Sequence, residues 1–210
     1  MKTQMTLILT AGLVAGLANA QSLPTVDGGM KHVLVDFDGT NLGLELDDSL
    51  TSDVPPLPMR DFGGSYDGAA SVLDGKYYSS QYGFLPDAII TLPFGGAVYV
   101  ELLSATPGLE IYEGGMRPMR ANHTYDPIFG TDGSDAVWLW NGAMHHPWFA
   151  AENLGTYEAD FRVFIGDAVT AEPLSGFGAA DITLSWTAVP APGTAALLGV
   201  GGLVAARRRR

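Results

Sequence analysis

Imidazoles and carboxylates are the residues in this chain whose types and spacing could hold a metal ion. The histidines are His32, His123, His145 and His146. A zinc-type site needs several imidazoles or carboxylates converging on one ion. His145 and His146 are adjacent and on a strand would face opposite sides. Pro147 predicts a loop there, which relaxes that constraint, and His123 in Asn122-His-Thr-Tyr-Asp126 can approach one of them. Asp126-Pro-Ile-Phe-Gly-Thr-Asp132-Gly-Ser-Asp135 concentrates oxygen ligands and glycine in a loop, a composition that suits calcium. The candidate calcium or zinc ligands are therefore His123, His145, His146, Asp132 and Asp135. The plainer expectation for them is local turn chemistry. The spacing is not that of an EF-hand, and there is no His-Glu-x-x-His or spaced Cys/His cluster.

Carboxylates raise two catalytic possibilities. Val33-Leu-Val-Asp36-Phe-Asp38-Gly39-Thr40 resembles the first motif of haloacid-dehalogenase-like phosphatases. That resemblance implies a nucleophilic Asp36, a general acid/base Asp38 and magnesium, on an α/β fold. No helical period follows the motif, and Asp38-Gly39 predicts a tight hairpin between strands at 32–37 and 40–46 instead. Glycoside cleavage needs two carboxylates across a cleft. Glu45-Leu-Asp47-Asp-Ser-Leu50 resembles the Glu-x-Asp-x-x-Glu strand of laminarinase-type enzymes but has leucine at the last position. Glu110, Glu113 and Glu152 carry no spacing that pairs them, and no Gly-x-Ser-x-Gly elbow occurs. The aromatic groups Trp138, Trp140 and Trp148, and Tyr77, Tyr78 and Tyr82, read as a sheet core first and as a sugar-stacking platform second.

The elements that must position these residues are short strands. Tyr157, Ala159, Phe161, Val163 and Ile165 alternate with Glu158, Asp160 and Arg162, and Ile182, Leu184 and Trp186 alternate with Asp181, Thr183 and Ser185. Ala97 to Leu103 and Ala136 to Trp140 are further strands, with Ala88 to Leu92 weaker. Proline-rich Asp47 to Pro58 predicts a loop crossing between sheets. With 27 glycines, 13 prolines and little 3.6-residue periodicity, the fold class is all-β, a single β-sandwich or jelly roll over residues 21–188.

The two ends set the setting. Lys2, the apolar run Leu7 to Leu17 and Ala18-Asn19-Ala20 form a signal peptide over residues 1–20, cleaved after Ala20 by signal peptidase. Between the ends lie all 23 acidic residues against six cations, a formal charge of −17. That balance excludes nucleic acid as a partner, and the absence of cysteine excludes a disulfide framework. Residues 189–210 run through Val189, Pro190 and Pro192 into an uncharged stretch ending in Arg207, Arg208, Arg209 and Arg210. From Val189 to Ala206 a helix would reach roughly 27 Å, barely a bilayer core, and the arginines would stay cytoplasmic.

This tail resembles the PEP-CTERM sorting domain of exported proteins of Gram-negative bacteria. Val189, Pro190 and Pro192 fill the family's signature positions, while Ala191 stands where glutamate is usual. The resemblance implies a transient transmembrane helix in the inner membrane, processing by an exosortase-type peptidase, and an exopolysaccharide setting. The sequence thus predicts an exported, non-catalytic surface or extracellular-matrix protein, structural or adhesive in role. The alternatives are a calcium- or zinc-binding surface protein and a secreted polysaccharide-active enzyme.

Overall fold

The computed structural model describes residues 22–190. They are mostly strand: β1 (Lys31–Phe37), β2 (Leu42–Asp47), β3 (Leu57–Arg60), β4 (Tyr77–Ser79), β5 (Tyr82–Pro86), β6 (Gly96–Ala105), β7 (Leu109–Gly115), β8 (Pro127–Ile128), β9 (Val137–Trp140), β10 (His146–Ala151), β11 (Gly155–Asp167) and β12 (Ala180–Val189). Short 3-10 turns occupy Gly68–Leu73, Arg117–Asn122 and Thr131–Gly133. The strands form a three-stranded sheet, β2-β1-β5, and a nine-stranded one, β8-β7-β10-β4-β3-β12-β11-β6-β9. One hydrophobic core joins them. Val33 and Val35 come from the small sheet, and Phe149, Phe161, Val163 and Trp186 from the large one. The Phe84 ring meets Phe161 at 6.2 Å and Tyr82 meets Trp186 edge-on at 5.3 Å.

The period-two stretches became strands with the expected facing. In β11, Tyr157, Ala159, Phe161, Val163 and Ile165 are all buried in the core. It pairs with β12 without interruption from Gly155↔Ala188 to Val163↔Ala180. The β1–β2 hairpin forms as well, with its turn placed one residue later than expected. Asp38 N–H donates to Asn41 O at 3.1 Å, so Gly39 and Thr40 are the central residues. The Asp38 carboxylate accepts from the Thr40 and Asn41 amides at 2.8 and 2.7 Å, which fixes the turn. The proline-rich segment after β2 does cross from the small sheet to β3 of the large one.

Three expectations are corrected. Ala88 to Leu92 is irregular, and the strand lies just before it as β5, held in parallel against β1 from Lys31↔Tyr82 to Val35↔Pro86. The loop expected around Pro147 is strand β10, paired with β7 on one side and β4 on the other. Proline is tolerated because the β7–β10 register shifts between His146 and Trp148. Finally, β12 reaches Val189, which pairs with Arg60 of β3, so the sheet takes in the first residue assigned to the tail.

The leader at residues 1–20 and the tail from Ala191, with Pro192 and Arg207 to Arg210, lie outside the described residues. Among those described, no helix is long and apolar enough to cross a membrane.

Candidate functional site: a buried histidine cluster

All four histidines are buried: His32, His123, His145 and His146. Val33 and Val35 face the core, so His32 lies on the opposite side of β1, where solvent is the expectation. It is buried because His146, at the head of β10, places its ring edge-on against it at 5.2 Å. Gly83 of β5 pairs with His32 and makes room for that contact, since a Cβ there would come within 2.6 Å of the His146 ring. Gly114 and Gly115 of β7 do the same on the other side. Gly115 pairs with His146, and a Cβ on Gly114 would lie 1.8 Å from the His146 carbonyl oxygen.

Hydrogen bonds set the tautomers. His146 Nδ1–H points at Ser80 O and Tyr82 O, each at 3.0 Å, and leaves Nε2 buried without a partner. The Nε2 of His145 accepts from Gly114 N–H at 3.3 Å, and its ring lies 4.5 Å from Trp138. His123 is satisfied at both nitrogens. Nδ1 accepts from Trp148 Nε1–H at 2.9 Å, and Nε2–H donates to Met116 O at 3.1 Å. His32 has neither nitrogen paired, and its nearest carboxylate is Asp47 Oδ2, 3.9 Å from Nδ1.

Burial disfavours the charged form of each ring. It lowers His145 to about 4 and His146 to about 3, with His32 and Arg117 adding to the effect on His146. His32 and His123 are lowered by burial too, although Asp47 acts against this at His32 and the Met116 carbonyl at His123. At neutral pH the cluster is a set of uncharged imidazoles in a water-poor seam.

The histidines thus gather around Gly83 and Gly114–Gly115, but not as a ligand set. Asp132 and Asp135 are exposed on the loop after β8, and Asp132 holds a left-handed φ of 51° in the turn at Thr131–Gly133. Among the described residues, no group of three or more histidines or carboxylates stands where it could hold a metal ion. The other candidates are engaged locally. Asp38 caps its turn. Glu110 is paired with Lys76 and accepts from the Tyr112 hydroxyl at 2.6 Å. Glu113 accepts from Thr124 Oγ1 at 2.9 Å.

Trp140, Trp148, Tyr78 and Tyr82 are core residues, and Trp138 is half-buried against Phe129 and His145. Sequence reasoning left His32 out of the site. Its alternation with Val33 marks it as a surface residue, and only the approach of β10 says otherwise.

A second feature is an open groove of about 730 Å³ beside edge strand β9, walled by Ile89, Ile90, Leu92, Val98, Leu139 and Trp140. The chain matches no protein-family profile, no curated protein and no solved structure, so its functional reading rests on its own residues.

Proposed function

We propose that this chain is an exported, non-catalytic surface or extracellular-matrix protein, a β-sandwich of jelly-roll type that serves a structural or adhesive role among exopolysaccharide. In this reading the tail beyond Val189 halts export and holds the chain at the inner membrane through a short helix. An exosortase-type peptidase then acts at the Pro190–Pro192 linker. The observation that carries the reading is the seat of β12. The tail departs from a strand in the interior of the nine-stranded sheet, paired with β3 and β11, with Trp186 fully buried. A tether attached there pulls on a strand hydrogen-bonded to a neighbour on each side, which suits a protein held at a surface. Pro190, exposed directly after Val189, has no N–H with which to extend the ladder. The strongly acidic domain suits a solvated, polymer-rich exterior.

The test is mass spectrometry of the protein from its native host, with and without Arg207–Arg210→Ala. The expected mature mass begins at Gln21 and lacks Arg210, and the quadruple substitution changes the protein's location or processing. Retention of Arg210 in the mature protein overturns the processing reading, and an unchanged location and mass in the variant overturns the membrane halt.

A further inference from the structure

Besides the shared core, the two sheets touch through the histidines, and the chemistry of that polar contact goes beyond the proposed function and does not depend on it. His32 belongs to β1 of the small sheet and His146 to β10 of the large one. Beside them Phe84 of β5 exchanges both backbone hydrogen bonds with His145, at 2.8 and 3.0 Å. His146 at the head of β10 and His145 just before it therefore tie the small sheet to the large one, the first by a ring contact and the second by a backbone bridge. We propose that this contact is an acid-opened latch: protonation of His32 and His146 releases the three-stranded sheet from the nine-stranded one while the β11–β12 ladder stays folded.

The argument is one of accommodation. A second proton on His146 would sit on Nε2, which is buried and has no acceptor, while Nδ1–H is already committed to Ser80 O and Tyr82 O. A buried cation without a partner is among the costliest groups a fold can contain. The charged groups facing the pair make this worse for His146 than for His32. From β2, Asp47 lies against His32, its carboxylate also accepting from Ser49 N–H at 2.7 Å. From β1, buried Lys31 pairs with Asp48 and bonds Asp53 O at 2.8 Å. From the turn at Arg117–Asn122, buried Arg117 faces His146 as a like charge, with Asp27, Asp53 and Arg120 around it. From β5 and the residues before it come only carbonyls, and from β7 the paired Gly115. His145 and His123, on the same edge, are held neutral by burial.

The sign follows from linkage. Opening hydrates both rings and returns them toward the ordinary imidazole value of 6.5, above their value in the closed seam. The open form then binds more protons below that pH, and acid favours it. β11 and β12 carry no histidine, and their pairing does not involve the latch.

Hydrogen-exchange mass spectrometry of the full-length chain across pH 6.5 to about 4.5, a window in which imidazoles titrate ahead of ordinary carboxylates, tests this. Relative to intrinsic exchange rates, protection of β1 and β5 is expected to fall about tenfold per pH unit for each proton taken up on opening. Protection of β11 and β12 is expected to hold. His146→Gln, which keeps a neutral donor, should reduce that slope by one proton, and so should His32→Gln. If either variant fails to fold, imidazole titration of the wild-type chain by NMR takes its place, and the His146 resonance must titrate at the pH where β1 and β5 open. Flat protection in the wild type, an unchanged slope in both variants, or loss of β11–β12 protection at the same pH overturns the latch.

Discussion

β11 and β10 lie in the same sheet, yet they are opposite kinds of strand. β11 has one face in the core and, from Glu158 to Arg162, one toward solvent, where Asp160 accepts from Thr183 Oγ1 at 2.6 Å and Ser104 Oγ at 2.7 Å, and Arg162 grips Asp181 with two hydrogen bonds. β10 is buried at every residue, His146 to Ala151. Phe149 and Ala151 face the main core, while Trp148 and Ala150 enter a second cluster with Tyr66, Tyr78, Tyr112 and Tyr125. Tyr125 stacks on Trp148 at 5.7 Å. The Tyr66 and Tyr78 hydroxyls meet at 2.5 Å, and burial pushes the Tyr78 phenol far above its ordinary value. Segments without strand structure make this second roof. Leu73 and Ala70 come from the turn at Gly68–Leu73, and Val26 from the amino-terminal segment. That segment is pinned by Tyr78, whose hydroxyl accepts from Thr25 N–H at 3.0 Å, and by Arg117, which donates to Gly28 O at 2.8 Å. A strand with one wet face advertises itself by alternation, and a strand with two dry faces does not.

Four substitutions probe that contrast. Phe161→Ala should have the largest effect, about 3–5 kcal/mol in denaturant titration, because the ring is fully buried between Phe84, Phe129 and Phe149. A loss under about 1 kcal/mol would mean that the wet-faced strand is not anchored as described. Gly114→Ala follows. Its Cβ would collide with backbone rather than with a flexible side chain, so β7 and β10 must part, at a cost near the top of the roughly 1–3 kcal/mol range for overpacking. Retained stability together with intact β10 amide protection would contradict the close approach at His146.

Trp148→Phe keeps most of the packing but leaves His123 Nδ1 without its donor, and is expected to cost about 1–2 kcal/mol. If the unfolding midpoint does not move, the outer side of β10 is not a second core. The smallest effect belongs to Arg162→Ala on the exposed face of β11, where both partners are hydrated. Its midpoint in urea should match the wild type, and a clear loss would show that the polar face of the sheet contributes to stability.

These differences mark what was readable beforehand. β11, β12, β6, β9 and the β1–β2 hairpin are legible because hydrophobic alternation and the turn-forming Asp38-Gly39 are local properties of the chain, although the turn itself centres on Gly39-Thr40. The aromatic residues suit a sheet core by type alone, and Trp140, Trp148, Tyr78 and Tyr82 lie in it, with Tyr77 and Trp138 partly buried. β10 was hidden because Pro147 signals a loop and burial on both faces erases the period of two. β5 was hidden because Tyr82-Gly-Phe-Leu-Pro86 carries two breakers and is held as a strand by parallel pairing to β1.

The site divides in the same way. The sequence alone marks His123, His145 and His146 as residues able to converge, and they do gather around β7. Their exclusion of water, their tautomers and the inclusion of His32 depend on a contact between strands more than a hundred residues apart in sequence, which local pattern does not encode. The sequence by itself determined an acidic, cysteine-free, mostly β chain with one-sided strands, because composition and alternation act residue by residue. Only the tertiary structure decided which faces are dry twice over, and so which histidines are buried, because desolvation is a property of whatever packs on top.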